Sequence, residues 1–179
     1  IIGATRGNGA TGENITNNLR TIKSIPLKII DKDIPESFEI RGEVFFHKNK
    51  FQEFNKERES MGMQEYSNTR NDASGALRQL DSNETAKRPL DAFFYCVGNR
   101  NDFKISTHYE LLKRINNWGF KINKNTILVD NFSDLEDLIE KKIKSRDDMN
   151  YSIDGPVIKV NSIQDQIDLG STAKDPRWA

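Results

Sequence analysis

Apolar residues along this chain follow two rhythms, one of period two and one of period three to four. Between Phe38 and Phe46 the period is two, with Phe38, Ile40, Val44 and Phe46 interleaving with Glu39, Arg41, Glu43 and Phe45. Alternation of that kind lines one face of a strand, which sets Arg41 and Glu43 opposite the apolar set. Leu90 to Val97, LDAFFYCV, reads as a second strand, rich in aromatics. In Ser152 to Val160, SIDGPVIKV, the residues Ile153, Val157, Ile158 and Val160 surround Asp154 and Lys159, and a third strand is expected. Pro156 donates no ladder hydrogen bond, so that strand should lie at an edge or bend. Leu27 to Ile30 is a candidate for a short fourth strand.

The helical rhythm appears in six places. Ile15, Leu19 and Ile22 predict a short helix ending before Pro26. Phe51 and Phe54 predict another, with Asn49 as cap and Gln52 three residues on. Ala73, Ala76, Leu77 and Leu80 mark one face of a helix beginning near Asn71. Thr107 and Glu110 are spaced as a capping box before Leu111, Leu112, Ile115 and Trp118, with Gly119 as the stop, which makes Trp118 a core residue. Ser133 and Glu136 repeat that spacing before Leu135, Leu138, Ile139 and Ile143, whose neighbours Lys141, Lys142 and Lys144 form a solvated face. Ser162 to Gly170 reads as a last short helix. Polar loops are expected at 99–104 and 144–150. Helices and strands mix without regular β-α-β alternation, so the expected class is α+β with mainly antiparallel sheets flanked by short helices.

Composition narrows the partners. The 179 residues hold 27 basic and 27 acidic side chains, a net charge of zero, so any nucleic-acid contact has to be a local cluster. Cys96 is the single cysteine and has no internal disulfide partner; it reads as a small apolar residue in a reducing compartment. His47 and His108 lie far apart, without zinc-ligand spacing. No run approaches the roughly 20 apolar residues of a membrane span, and no secretory signal opens the chain, so a cytoplasmic protein is expected.

Three stretches carry candidate chemistry. Asp154 and Lys159 are charges inside an apolar run, and Glu43 sits on the polar face of its strand. Charges so placed serve either a polar pocket shared by the two strands or simply a water-facing surface. Gly3, Gly7, Gly9 and Gly12 crowd around Thr5 and Arg6, which fits a loop offering amides to an anion, but the spacing matches neither a Walker loop nor a dinucleotide fingerprint and favours a plain hairpin turn. Arg70 at the start of its helix, with Arg78 two turns along, fits a phosphate or carboxylate partner or a pair of solubilising surface arginines.

Taken together, the segments ATRGNGATGE, EIRGEVF, NTRNDASGALRQLD, TAKRPL, THYEL, WGF, YSIDGPVIKV and LGSTAKDPRWA resemble the adenylation, or nucleotidyltransferase, domain of the bacterial NAD-dependent DNA ligases, in order and over the whole chain. The resemblance implies an ATP-grasp-like nucleotidyltransferase fold. It implies an enzyme of DNA replication and repair that seals nicks in duplex DNA. A lysine attacks the α-phosphorus of NAD+ and releases nicotinamide mononucleotide, AMP passes to the 5′-phosphate at the nick, and the 3′-hydroxyl displaces it. Carried over by position, Arg6 and Glu43 contact the adenosine nucleotide, with Glu43 accepting from a ribose hydroxyl. Lys159 holds the phosphate, and Asp154 stands near it for orientation or as a ligand of Mg2+ or Mn2+. Arg70, Arg78 and Arg146 serve the nucleotide or nick phosphate and the DNA backbone. Zinc is implied only for domains outside this chain, and the protein is expected to be a monomer.

The family's nucleophile lies in a Lys-x-Asp-Gly motif upstream of the first segment, and a second lysine motif follows PRWA. Residues 1–179 are therefore expected to be a partial adenylation domain, truncated at both ends and unable alone to form the AMP-lysine intermediate. Asn8 stands where aspartate is usual, Thr69 where proline is usual before the arginine, and Pro156 where an apolar residue is usual. Two alternatives accompany this expectation: an ATP-dependent ligase or capping-type relative, and a catalytically dead module that grips DNA or nucleotide.

Overall fold

The computed structural model describes residues 2–31, 34–98, 103–172 and 175–179, with every side chain in those ranges except that of Arg70. Its elements, in chain order, are α1 (Thr16–Leu19), β1 (Ile40–Phe46), α2 (Lys48–Ser60), α3 (Thr69–Leu77), α4 (Ser82–Ala86), β2 (Leu90–Val97), α5 (His108–Asn117), α6 (Ser133–Lys144), a 3-10 turn (Arg146–Asp148) and α7 (Ile163–Leu169). Strands β1 and β2 pair antiparallel as a two-stranded sheet. The α+β class holds, with far less sheet among the described residues than the alternation suggests. The chain divides into two compact units, the first formed by Ile1–Ile29, Glu43–Phe93 and Met149–Ser152, the second by Ile30–Gly42, Phe94–Asp148 and Ile153–Ala179.

The first unit is built on the end of β1. Phe46, Phe51 and Ala73 form a buried cluster with Tyr66 and Leu90 packed against it. Beside it runs a buried polar relay. Asn18 donates to the Thr85 hydroxyl at 2.8 Å and to the Gln79 carbonyl at 2.9 Å, and the Thr85 hydroxyl donates to the Ala76 carbonyl at 2.7 Å. Asn18 and Thr85, both buried, thus each have hydrogen-bond partners, as burial requires. Helix α2 is capped differently from expectation. Its N-cap is His47, which makes no side-chain cap bond. The acceptors come instead from Asn150, whose carbonyl takes Lys48 N–H at 2.8 Å and whose side chain takes Asn49 N–H at 3.1 Å. Helix α3 starts two residues before Asn71 and ends at Leu77, leaving Leu80 fully exposed beyond the apolar face assigned to it.

The second unit buries the face of α5. Leu111, Leu112, Ile115 and Trp118 are all enclosed, and Phe38, Phe103 and Trp118 meet ring to ring at 5.2–5.6 Å. The capping box forms as expected: Thr107 Oγ1 accepts Glu110 N–H at 3.2 Å, and Glu110 Oε2 accepts Thr107 N–H at 3.1 Å. Hydrogen bonds from the Ser106 hydroxyl, then from the Ser106 and Thr107 amides, hold the Glu110 carboxyl below its ordinary range. A depressed carboxyl contributes stability above its unfolded pKa and loses it as pH falls through the folded value. The melting-temperature gap between the protein and its Glu110→Ala variant is therefore expected to be largest near neutrality and to narrow only as the pH falls below the ordinary carboxylate range.

Three further expectations are corrected. Ser133 does not cap α6, because the N-cap is Phe132, with no side-chain cap bond. No residue of α6 is fully buried, so its apolar stripe is only half covered. Leu27 to Ile30 forms no strand and leaves Leu27 and Ile30 exposed, so a ladder there would bury little. Ser152 to Val160 forms no strand, bends at Asp154 and leaves Val157 73% exposed, and Pro156 removes a donor from its middle.

Candidate functional site

In the first unit the four glycines form a hairpin. Ala4 bridges Asn14 antiparallel, Thr5 N–H meets the Glu13 carbonyl at 3.0 Å, and Gly9 N–H meets the Arg6 carbonyl at 2.9 Å. Gly7 has φ +52°, and a Cβ there would stand 1.8 Å from the Thr11 carbonyl oxygen, so only glycine fits. Asn8 Oδ1 accepts from Ala10 N–H, Thr11 N–H and the Thr11 hydroxyl at 2.9–3.2 Å. An amide oxygen therefore fills the acceptor role that a carboxylate oxygen would. The hairpin presents Arg6, exposed, at its turn.

Arg78 lies just past α3, and its Nε meets Glu13 Oε2 at 2.8 Å, tying the hairpin to the end of that helix. Both side chains are more than half exposed, so the pair contributes at most about 1 kcal/mol. The backbone of Arg70 is the second residue of α3, while its side chain lies outside the described residues. Asn68 heads the helix reciprocally: its Oδ1 accepts Asn71 N–H at 3.3 Å, and its own N–H donates to Asp72 Oδ2 at 3.1 Å. The Thr69 and Ser152 hydroxyls meet at 3.1 Å.

Glu43 projects from the middle of β1, exposed and without an ion pair among the described residues. Two residues on, and so on the same face of the strand, Phe45 stacks on Phe93 at 4.5 Å and meets Tyr151 at 5.4 Å, an aromatic floor. His47, next on that face, bonds Asp91 Oδ2 through Nε2 at 2.7 Å. Nothing in the alternation pattern pointed to that pair.

In the second unit Lys159 is half-buried, its Nζ 5.3 Å from the Tyr95 ring centroid and 6.0 Å from that of Trp178. Its place in the chain is anchored on both sides. Val160 N–H bonds the Trp178 carbonyl at 3.0 Å, and Asn161 accepts His108 N–H at 2.7 Å and Tyr109 N–H at 3.0 Å at the start of α5. The Val160 carbonyl takes a bond from Gln166, buried in α7. Tyr95 was not singled out in the sequence. Its signal was its place in β2, two residues from Phe93 on the same face. On β1, Arg41 pairs with Glu39, and that hydrogen bond raises its already high pKa.

Asp154 is exposed, five residues before Lys159, and Arg146 stands in the 3-10 turn with Asp147 Oδ1 3.6 Å from its Nε. Glu43, Arg6 and Arg78 belong to the first unit, and Asp154, Lys159 and Arg146 to the second. No three His, Cys, Asp or Glu side chains converge as a metal-ligand set among the described residues. One exposed carboxylate does not itself build the Mg2+ site that the resemblance implies.

The whole chain, residues 1–179, matches the family model described as the NAD-dependent DNA ligase adenylation domain. It is similar to the DNA ligase of Dehalococcoides mccartyi, 45% identical over 178 residues, which are 99% of this chain and 26% of that protein. The DNA ligase of Halalkalibacterium halodurans is 45% identical over 179 residues, 100% of this chain and 26% of the relative. That of Syntrophotalea carbinolica is 43% identical over 179 residues, with the same 26% of its length covered. The chain thus spans about a quarter of the curated relatives it matches.

Proposed function

The chain belongs to the NAD-dependent DNA ligase adenylation domain family, and from that premise we propose that it is part of the nucleotidyltransferase domain of a ligase that seals nicks in duplex DNA with NAD+. The match over residues 1–179 carries this proposal. The two-stranded sheet and its flanking helices are read as part of an ATP-grasp-like nucleotidyltransferase fold.

Phosphoryl transfer asks little covalent chemistry of a protein and much positioning and charge stabilisation. In the first unit, Glu43 accepts from a ribose hydroxyl over its aromatic floor, and Arg6 contacts the nucleotide from the hairpin turn. In the second unit, Lys159 neutralises charge building on the α-phosphate. Tyr95, an exposed residue beside that ammonium, offers its ring to the adenine. Arg70, Arg78 and Arg146 serve the nick phosphate and the DNA backbone, Arg78 exchanging Glu13 for phosphate. The AMP acceptor is a lysine outside these residues, since no Lys-x-Asp-Gly stretch occurs within them. Were Mg2+ or Mn2+ to enter with the nucleotide's phosphates, Asp154 would be the carboxylate of this chain nearest in sequence to Lys159 to offer it an oxygen, and the ion would supply charge neutralisation there. In this proposal the protein acts as a monomer in the cytoplasm, in DNA replication and repair. No helix among the described residues is long and apolar enough to cross a membrane.

The test is strand sealing on a nicked duplex by the full-length gene product with NAD+. Sealed strand is expected, and its absence overturns the proposal. Arg70→Ala is expected to slow sealing; an unchanged rate returns Arg70 to surface decoration.

A further inference from the structure

The first unit gathers two arginines, neither with a role above, on Tyr66, the ring packed against the Phe46, Phe51 and Ala73 cluster. Tyr66 lies in the loop between α2 and α3. Asn55 clamps its backbone, donating to the Tyr66 carbonyl at 2.8 Å and accepting Tyr66 N–H at 3.1 Å. The Phe54 ring lies nearly parallel to it at 5.9 Å. The guanidinium carbon of Arg58 stands 4.3 Å from the Tyr66 ring centroid, and that of Arg88 stands 5.3 Å away. Arg88 donates to the Tyr66 hydroxyl at 2.7 Å, and Arg58 Nε donates to the Gln64 carbonyl at 2.9 Å.

Both arginines are half-buried, and neither forms an ion pair among the described residues. Their acidic neighbours Glu57, Glu59 and Glu65 are exposed and bonded to neither. Two like charges are thus held on one ring with no carboxylate bonded to either among the described residues, at a Coulombic cost that an anion would reduce. Each guanidinium carries five N–H donors in a planar fork, of which these contacts occupy only some. Stacking and hydrogen bonds have already removed most of their rotamer freedom, so an anion arriving there meets an ordered site.

We infer that Arg58 and Arg88 form a contact for the phosphate backbone of duplex DNA. This rests on the ligase reading above. A chain of zero net charge needs a local cluster to hold nucleic acid, and this loop runs directly into α3, where Arg70 stands four residues after Tyr66. The contact reads phosphate rather than bases, so it adds affinity without sequence preference.

The experiment is the salt dependence of nicked-duplex binding by the full-length gene product, compared with Arg58→Gln, Arg88→Gln and the double variant. Each lost phosphate contact makes the slope of log K against log salt shallower by about 0.9, and the double variant loses about 1.8. Arg58→Lys keeps the charge and is expected to retain the slope. Unchanged slopes in the glutamine variants overturn the inference, as does a loss in Arg58→Lys equal to that in Arg58→Gln, which would mark a structural effect. If the unaltered protein itself fails to bind the duplex, the ligase reading fails, and the two failures are thereby told apart.

Discussion

Replacing Lys159 by alanine in the full-length gene product is expected to lower transfer of AMP from NAD+ onto protein by on the order of 10²- to 10³-fold, with the fold intact. A single preorganised cationic donor aimed at developing phosphate charge is worth that much because it acts in a partly dehydrated setting. Here the ammonium is half-buried beside Tyr95 and Trp178. The backbone around it is held by hydrogen bonds of Val160, Asn161 and Gln166, so the variant should melt close to the parent. Gel detection of labelled protein from α-labelled NAD+ measures the effect. Labelling at the parental rate would remove Lys159 from the site.

The largest effect on stability is expected at Ile115. Its side chain is 0% exposed, enclosed with Leu111 and Trp118 under α5. Truncation to alanine removes buried methylenes and leaves a cavity, at a cost of about 2–5 kcal/mol. For a chain of this size that lowers Tm by on the order of 10 °C. Leu80→Ala is the control: Leu80 is fully exposed, so the same loss of apolar carbon should cost under about 0.5 kcal/mol. Thermal unfolding of the two variants decides the matter. Equal shifts would mean that the enclosed face of α5 is not what stabilises the second unit.

What the sequence made legible was local. Thr107 and Glu110 are three residues apart and satisfy one another, so their box could be read and is found. The bounds of β2 match the apolar run Leu90–Val97, and the glycine cluster folds as the plain hairpin that was one of its two readings. What stayed hidden depends on partners distant in sequence. Asn49 looked like the cap of α2, but the acceptors arrive from Asn150, about a hundred positions away. The Asn18 and Thr85 relay joins residues 67 apart, and His47 finds Asp91 across the sheet. Leu80 continued the apolar rhythm of α3, but the helix stops at Leu77, so periodicity outran the element that gives it meaning. In SIDGPVIKV, β-branched residues suggested a strand, yet Pro156 and the lack of a described partner leave it without a ladder.

The candidate site divides in the same way. Arg6, Glu43 and Lys159 could be named from type, spacing and resemblance. Tyr95 beside Lys159, and the Phe45, Phe93 and Tyr151 floor on the strand face that carries Glu43, required three-dimensional contacts to be seen.

The most direct measurement is to incubate the full-length gene product with α-labelled NAD+ and, separately, α-labelled ATP, and to look for AMP held covalently on the protein. Labelling from NAD+ alone is the predicted result, with residues 1–179 by themselves remaining unlabelled. Labelling from ATP alone, or from neither nucleotide, would contradict the assignment.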